Sequence, residues 1–182
     1  MKQVIRIIGG NYRGKKITFP DSAGLRPTPD RVRETLFNWL MNHIHNARCL
    51  DAFAGSGALG LEAFSRGAAE VYLIEQNKST FKHLQTVTSS FNTSQLTLIN
   101  NNACDFIRQT NQSFDIVFLD PPFDTPLLNT CLPLLYERPI LPTGGLVYIE
   151  SPHEIELPSS QWETLKQKKA GQVFYGLIRK HG

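Results

Sequence analysis

From Arg48 onward the sequence alternates between short apolar runs and longer amphipathic stretches, and this alternation restricts the fold more than any other feature. The apolar runs, typical of strands, are RCLDAF, EVYLIE, QLTLIN, FDIVFLD and GGLVYIE. Helical patterns lie between them, near residues 58–66, 77–91, 103–109 and 125–137. Strands that alternate with helices predict a parallel sheet with helices on both faces.

Both ends of the chain predict further strands. QVIRII and KKITF, joined by a turn at residues 9–11, predict an N-terminal hairpin, and TLKQKKA and QVFYGLIRK predict an antiparallel pair at one sheet edge. We therefore expect an α/β fold with a seven-stranded, mostly parallel, doubly wound sheet. Residues 1–28 would form a basic hairpin and loop, and residues 29–182 the main domain.

A first helix is expected after the hairpin. Thr28 followed by Pro29 predicts a helix start with the threonine hydroxyl as N-cap. Val32, Leu36, Leu40 and Ile44 recur every four residues and predict one buried stripe.

The segment LDAFAGSGALGLEAF places Gly55, Gly57 and Gly60 between a predicted strand and a predicted helix. Glycines at this spacing let the backbone turn sharply and approach a ligand closely at the helix start. Glu75 ends the next predicted strand, about twenty residues further on, where a carboxylate can accept hydrogen bonds from ribose hydroxyls. Together these features predict a nucleoside-binding site.

Asp51 ends the strand that precedes the glycine loop. A carboxylate there would repel the pyrophosphate of a dinucleotide, which normally binds at the helix N-terminus. It would suit an ammonium group, such as the amino acid end of S-adenosylmethionine. The residues therefore favour S-adenosylmethionine over NAD and leave both open.

The stretch FDIVFLDPPF, residues 114–123, ends a buried strand on an acid, two prolines and an aromatic residue. The fourth strand of such a fold lies beside the first, so Asp120 is expected next to the glycine loop. A carboxylate and a backbone carbonyl can each accept one N–H of an exocyclic amine and aim its lone pair at a methyl donor. Prolines make the turn rigid, and Phe123 offers a face for a flipped-out base. The alternative is a triplet that only ends a strand and caps a helix.

The D-P-P-F tetrapeptide after strand four, with a glycine-rich first loop, is typical of methyltransferases that act on exocyclic or amide nitrogens. Together with RIIGGNYRGKKI, LRPTPDRVRETLFNWL, LDAFAGSGALGLEA and AGQVFYGL, it resembles the RsmD family of bacterial 16S ribosomal RNA guanine-N2 methyltransferases. The resemblance implies a Rossmann-like class I methyltransferase fold. It also implies methyl transfer from S-adenosylmethionine to the N2 amine of one guanine in 16S rRNA, within an assembled or assembling 30S subunit.

The resemblance also assigns roles to residues. It implies that Asp120 and the Pro121 carbonyl orient the amine and that Pro122 and Phe123 complete the catalytic loop. It implies a cofactor site made of Asp51, Phe53, Ala54, Gly55, Ser56, Gly57, Glu75, Gln76, Asn102 and Ala103. Many relatives of this fold carry an acid where this chain has Asn102. No metal is implied, because methyl transfer from a sulfonium needs no Lewis acid.

The net charge of +3 is unevenly distributed. Residues 1–33 hold eight Lys and Arg residues against two Asp residues, a net charge of +6, which leaves −3 for the rest of the chain. This asymmetry predicts an anionic macromolecule held by one face, and a solvated surface is the alternative. With the resemblance, RNA becomes the expected partner of Arg6, Arg13, Lys15, Lys16, Arg26, Thr28, Arg31 and Arg33.

Composition limits the remaining possibilities. An apolar fraction of 41% and a charged fraction of 19% are ordinary for a globular protein, and no apolar run approaches the roughly 20 residues that cross a bilayer. Cys49, Cys104 and Cys131 lack the spacing of a disulfide framework or a zinc site. We expect a cytoplasmic monomer with no metal and no membrane partner.

Three other functions fit part of the pattern. They are an amino methyltransferase acting on DNA adenine or a protein amide, an NAD-dependent oxidoreductase, and a non-catalytic RNA-binding assembly factor. The basic N-terminal block argues against a small protein substrate, and Asp51 argues against NAD. Binding alone would not require Gly55, Glu75 and Asp120 together.

Overall fold

The computed structural model describes residues 2–21 and 25–182, which form a small hairpin and a large sheet flanked by helices. In chain order the elements are β1 (Lys2–Arg6), β2 (Lys16–Pro20), α1 (Asp30–Trp39), β3 (Arg48–Asp51), α2 (Ala58–Ser65), β4 (Glu70–Ile74), α3 (Lys78–Ser89), β5 (Leu96–Ile99), α4 (Ala103–Gln109), β6 (Ile116–Leu119), α5 (Leu127–Glu137), β7 (Leu146–Ser151), β8 (Trp162–Ala170) and β9 (Val173–Lys180).

The large sheet has seven strands in the order β5-β4-β3-β6-β7-β9-β8. The first five of these are parallel, while β9 is antiparallel to both β7 and β8. This confirms the predicted doubly wound α/β fold with an antiparallel pair at one edge. The chain runs outward from β3 to β5 and then crosses back to β6 on the other side of β3. The carboxyl ends of β3 and β6 therefore form the switch point at which such sheets bind ligands.

Two hydrophobic clusters cover the two faces of the sheet. One contains side chains of α1, α2 and α3, and the other contains side chains of α4 and α5. Neighbouring residues of β3 alternate between them, since Cys49 lies in the first cluster and Leu50 in the second. All three cysteines are buried. Trp162 is buried as well, and its ring lies edge-on to that of Tyr136.

The start of α1 differs from the prediction. Pro29, not Thr28, is the N-cap residue, and no side chain caps this end of the helix. The Thr28 hydroxyl instead lies within hydrogen-bonding distance of the carboxyl groups of Asp120 and Glu150, which are far away in the sequence. The helix is also shorter than predicted and ends at Trp39. Leu40 and Ile44 are buried nonetheless, in the turns that follow.

The hairpin β1–β2 is antiparallel, as predicted, and shares the main core. Ile5, Ile17 and Phe19 lie in the same cluster as the buried residues of α1 and α2. The domain boundary at residue 28 stays a prediction. No helix of the described chain is long and apolar enough to cross a membrane.

A buried ion pair attaches the hairpin and α1 to α2. The Arg33 side chain is 0% exposed and its Nη1 lies 3.3 Å from Oε2 of Glu62, whose side chain is also 0% exposed. Glu62 accepts hydrogen bonds from the backbone N–H groups of Ile8 (3.0 Å) and Gly9 (2.9 Å). Arg66 adds a second ion pair to Glu62, at 2.8 Å. One carboxylate thus holds the loop between β1 and β2, the helix α1 and the helix α2 together.

Glu62→Gln is expected to destabilise the fold by about 3 kcal/mol, because it removes the buried charge that pairs with both Arg33 and Arg66 and leaves Asp30 as the carboxylate partner of Arg33. The free energy of unfolding in urea measures the loss. Glu163→Gln is the matched control, since its carboxylate pairs with Arg179 at the surface and should contribute about 1 kcal/mol or less. Equal losses in the two variants would contradict a structural role for the Arg33–Glu62 pair.

Candidate active site

The glycine loop makes a tight turn between β3 and α2. Gly55 and Gly57 both adopt positive φ angles, of 53° and 82°, which favour glycine. A Cβ on Gly57 would also lie 2.8 Å from Cδ1 of Leu84 and 2.9 Å from Cδ1 of Leu61. Of the other predicted loop residues, Ala54 and Ser56 are buried and Phe53 is partly buried. The loop therefore turns sharply with few side chains projecting from it, and Gly55 is its partly exposed position.

Glu75 holds this loop in place. Its Oε2 accepts a hydrogen bond from the backbone N–H of Gly55 at 2.9 Å, and its Oε1 accepts one from Asn77 at 2.8 Å. Each oxygen of a carboxylate can accept a second hydrogen bond. Glu75 can thus hold the loop in place and still accept hydrogen bonds from the hydroxyl groups of a ribose.

Asp51 is a buried carboxyl group, 1% exposed, at the end of β3. Its Oδ2 accepts a hydrogen bond from the Gly60 N–H at 2.9 Å, and within residues 2–21 and 25–182 it forms no ion pair. Burial and, to a lesser degree, repulsion by Glu75 raise the pKa of Asp51 to about 7, while the Gly60 hydrogen bond opposes the shift. A cationic ligand group would offset the free-energy cost of ionising this buried carboxyl group, so the site fits an ammonium.

The segment 120–123 begins where β6 ends. Pro121 is buried, whereas Phe123 is one of the few large apolar side chains on the surface, at 41% exposure. The carbonyl of Pro122 accepts hydrogen bonds from Thr125, whose N–H lies at 3.3 Å and Oγ1 at 2.7 Å. Among the hydrogen bonds of the described residues, none uses the Pro121 carbonyl. That carbonyl and an exposed aromatic face remain for a ligand.

Asp120 lies beside two residues that sequence reasoning did not place there. The Thr28 hydroxyl is 3.3 Å from Oδ2 of Asp120 and 2.9 Å from Oε1 of Glu150. Burial, followed by the charge of Glu150 and a hydrogen bond with it, raises the pKa of Asp120 well above its usual range. Glu150 was missed, although GGLVYIE ends on an acid just as FDIVFLD does.

Asn102 and Ala103 lie at the start of α4. The Asn102 side chain caps this helix by accepting the Asp105 N–H at 2.8 Å, and Ala103 is buried. Gln76 is exposed after β4. The predicted contacts of these three residues with a cofactor stay predictions, and a capping role accounts for Asn102 by itself.

The predicted RNA-binding residues fall into three groups by exposure. Five are exposed and can meet an anionic partner: Arg6, Arg13, Lys16, Arg26 and Arg31. Lys15 is partly buried, with its Nζ 4.7 Å from the centroid of the Phe91 ring. The prediction is wrong for Thr28 and Arg33, whose side chains are buried and bonded within the protein. Among the described residues there is also no cluster of three or more His, Cys, Asp or Glu side chains that could hold a metal ion.

Comparison with known proteins gives matches over nearly the whole chain. The model of the family described as Conserved hypothetical protein 95 matches residues 5–179. Ribosomal RNA small subunit methyltransferase D of Escherichia coli (strain K12) is 47% identical over 178 residues, which cover 97% of this chain and 90% of that protein. The Haemophilus influenzae protein of the same name is 45% identical and covers 98% of this chain and 95% of its own length.

A solved structure supports the same relationship. The putative methyltransferase yhhF from Escherichia coli superimposes with a TM-score of 0.90 at 45% identity, and the match covers 98% of this chain and 99% of that one.

Replacing Asp51 should change how stability depends on pH. The pKa of this buried carboxyl group is raised from 3.8 to about 7. The group does not lower the free energy of unfolding while it is protonated, but it lowers it increasingly as the pH rises from about 4 to 7. Asp51→Asn should therefore match the wild type near pH 4 and exceed it above pH 7, by on the order of 2–4 kcal/mol. Urea unfolding at several pH values measures the difference, and a difference that stays constant from pH 4 to 8 would contradict the assignment.

Proposed function

The chain belongs to the RsmD family, and we propose that it is an S-adenosylmethionine-dependent methyltransferase acting on the exocyclic N2 amine of one guanine in bacterial 16S ribosomal RNA. The observation that carries this proposal is the pairing of β3 with β6, in which Asp51 lies opposite Phe118. Asp120 follows two residues later, so the glycine loop and the segment 120–123 meet at adjacent strand ends.

The residues around the glycine loop fit the proposed cofactor. Asp51 offers a buried carboxylate to the amino group, Glu75 retains acceptor capacity for the ribose, and the loop turns sharply at Gly55 and Gly57. When bound, S-adenosylmethionine supplies an electrophilic methyl group on a sulfonium. A site with Asp51, Glu75 and Asp120 close together is strongly acidic and favours a cationic ligand.

The segment 120–123 fits an exocyclic amine. The lone pair of a guanine N2 amine is delocalised into the ring, so the amine is a weak nucleophile until it is oriented. The Asp120 carboxylate and the Pro121 carbonyl can each accept one of its N–H groups and stabilise the positive charge that develops on the nitrogen. The exposed ring of Phe123 can stack against a base that has left its helix.

The exposed basic residues support an RNA substrate. Arg6, Arg13 and Lys16 lie on or beside the hairpin. Arg26 precedes Thr28 in the loop, and Arg31 lies in the first turn of α1. Basic side chains of this kind bind phosphate without reading sequence. Because the hairpin and the start of α1 offer a small surface for reading sequence, the 30S particle is proposed as the substrate. A monomeric state and a cytoplasmic location stay predictions.

Transfer of labelled methyl groups to 30S subunits that lack native modification tests this function. The wild type should place label in N2-methylguanosine, identified after digestion of the RNA. Asp120→Ala should be slower by a factor of about 100 or more, because an oriented acceptor for the developing charge is lost. Asp124→Ala, the same change at an exposed position four residues on, should keep the wild-type rate.

Two results would contradict the proposal in different ways. Label in adenine would support methyl transfer to an exocyclic amine but would contradict guanine as the methylated base. Binding of S-adenosylmethionine without any label in the RNA would mean that 30S subunits are not the substrate.

A further inference from the structure

A second buried carboxyl group, Glu150, lies next to Asp120 and has no part in the proposed chemistry. It is 6% exposed and belongs to β7. In the pairing of β6 with β7, Leu119 lies opposite Ile149. The residues that follow these two, Asp120 after β6 and Glu150 in β7, are therefore neighbours, with side chains on the same face of the sheet.

Two hydroxyl groups hold Glu150 in position. Its Oε1 accepts a hydrogen bond from the Tyr148 hydroxyl at 2.7 Å and one from the Thr28 hydroxyl at 2.9 Å. The Thr28 oxygen also lies 3.3 Å from Oδ2 of Asp120. A threonine hydroxyl carries one proton, so it can donate to only one of the two carboxyl groups at a time. Thr28 thus bridges Glu150 and Asp120.

Thr28 is itself fixed by the basic N-terminal part of the chain. Its carbonyl oxygen accepts a hydrogen bond from Nε of Arg33 at 3.2 Å, and Arg33 is held by Glu62. The exposed Arg26 and Arg31 lie two residues before and three residues after Thr28. The segment proposed to meet RNA therefore has a direct hydrogen-bonded connection to the carboxyl group proposed to meet the base.

The electrostatic surroundings of Asp120 come from three elements. Glu150 and Tyr148 face it from β7, Asp51 from β3, and Thr28 from the loop before α1. Burial is the largest cause of the raised pKa of Asp120, and Glu150 is the next, while the Thr28 hydrogen bond opposes both. Burial also raises the pKa of Tyr148, which remains a neutral donor.

We propose that Glu150, bridged by Thr28, is a positioning residue that sets the orientation and charge of Asp120 for accepting the amine N–H. This inference rests on the proposed methyl transfer. An ionised Asp120 accepts the amine N–H more strongly than a protonated Asp120 does. The rate of methyl transfer therefore depends on the balance between the repulsion from Glu150 and the hydrogen bond from Thr28, which together set the charge of Asp120.

The two residues should act in opposite directions. Glu150→Gln removes the negative charge, so the pKa of Asp120 should fall and the acidic limb of the kcat/KM profile should move to lower pH, by on the order of one unit. Thr28→Val removes the stabilising hydroxyl, so the limb should move to higher pH, and Thr28→Ser should restore it. Glu163→Gln, an exposed change of the same kind on β8, should leave the profile unchanged.

A titration without substrate separates this inference from the proposed function. Protein labelled with ¹³C at aspartate carboxyl carbons would be titrated by NMR, with the Asp120 signal identified by its loss in Asp120→Asn. Opposite shifts of its midpoint in Glu150→Gln and Thr28→Val support the inference. Unchanged midpoints in both would overturn it, even if methyl transfer occurs.

The remaining outcomes are also decisive. If the wild type methylates no RNA, the proposed function fails, and the NMR titration still decides whether Glu150 and Thr28 control Asp120. If Glu150→Gln does not fold, Thr28→Val and Thr28→Ser decide the question. A loss of activity in Thr28→Val that Thr28→Ser does not restore, with no shift in the titration, would indicate a packing role only.

Discussion

The buried Glu62 carboxylate is the interaction on which the geometry of the site depends. It pairs with Arg33 of α1 and accepts the N–H groups of Ile8 and Gly9 from the hairpin loop, while belonging to the helix that follows the glycine loop. A buried charge is stabilising only where its partners fully satisfy it. Because Arg33 also binds the Thr28 carbonyl, the same interaction determines where the Thr28 hydroxyl lies relative to Asp120.

Charge is separated between the interior of the site and its surroundings. Four carboxyl groups gather at the ends of β3, β4, β6 and β7: Asp51, Glu75, Asp120 and Glu150. The exposed basic residues lie instead on the hairpin and around the start of α1. An acidic interior suits a sulfonium and an ammonium, whereas a basic exterior suits phosphate. The proposed reaction needs both, since it joins a cationic donor to a polyanionic acceptor.

Local patterns predicted most of the fold, and long-range contacts account for what was missed. Apolar periodicity placed the strands and helices, and the glycine loop and FDIVFLDPPF fixed the two halves of the site because each is contiguous in sequence. Thr28 and Arg33 were assigned to RNA because they stand in a basic segment, yet their partners Glu150 and Glu62 are 122 and 29 residues away. Glu150 could have been found, because strand register aligns the acids that end β6 and β7.

The most direct test of the central claim is a structure of this enzyme bound to an unmodified 30S particle with S-adenosylhomocysteine. We predict one guanine turned out of the RNA, with its N2 amine within hydrogen-bonding distance of the Asp120 carboxylate and the Pro121 carbonyl. The cofactor would lie over the glycine loop, and the hairpin would contact phosphates. RNA bound at the opposite ends of the strands, or a different atom at Asp120, would contradict the account.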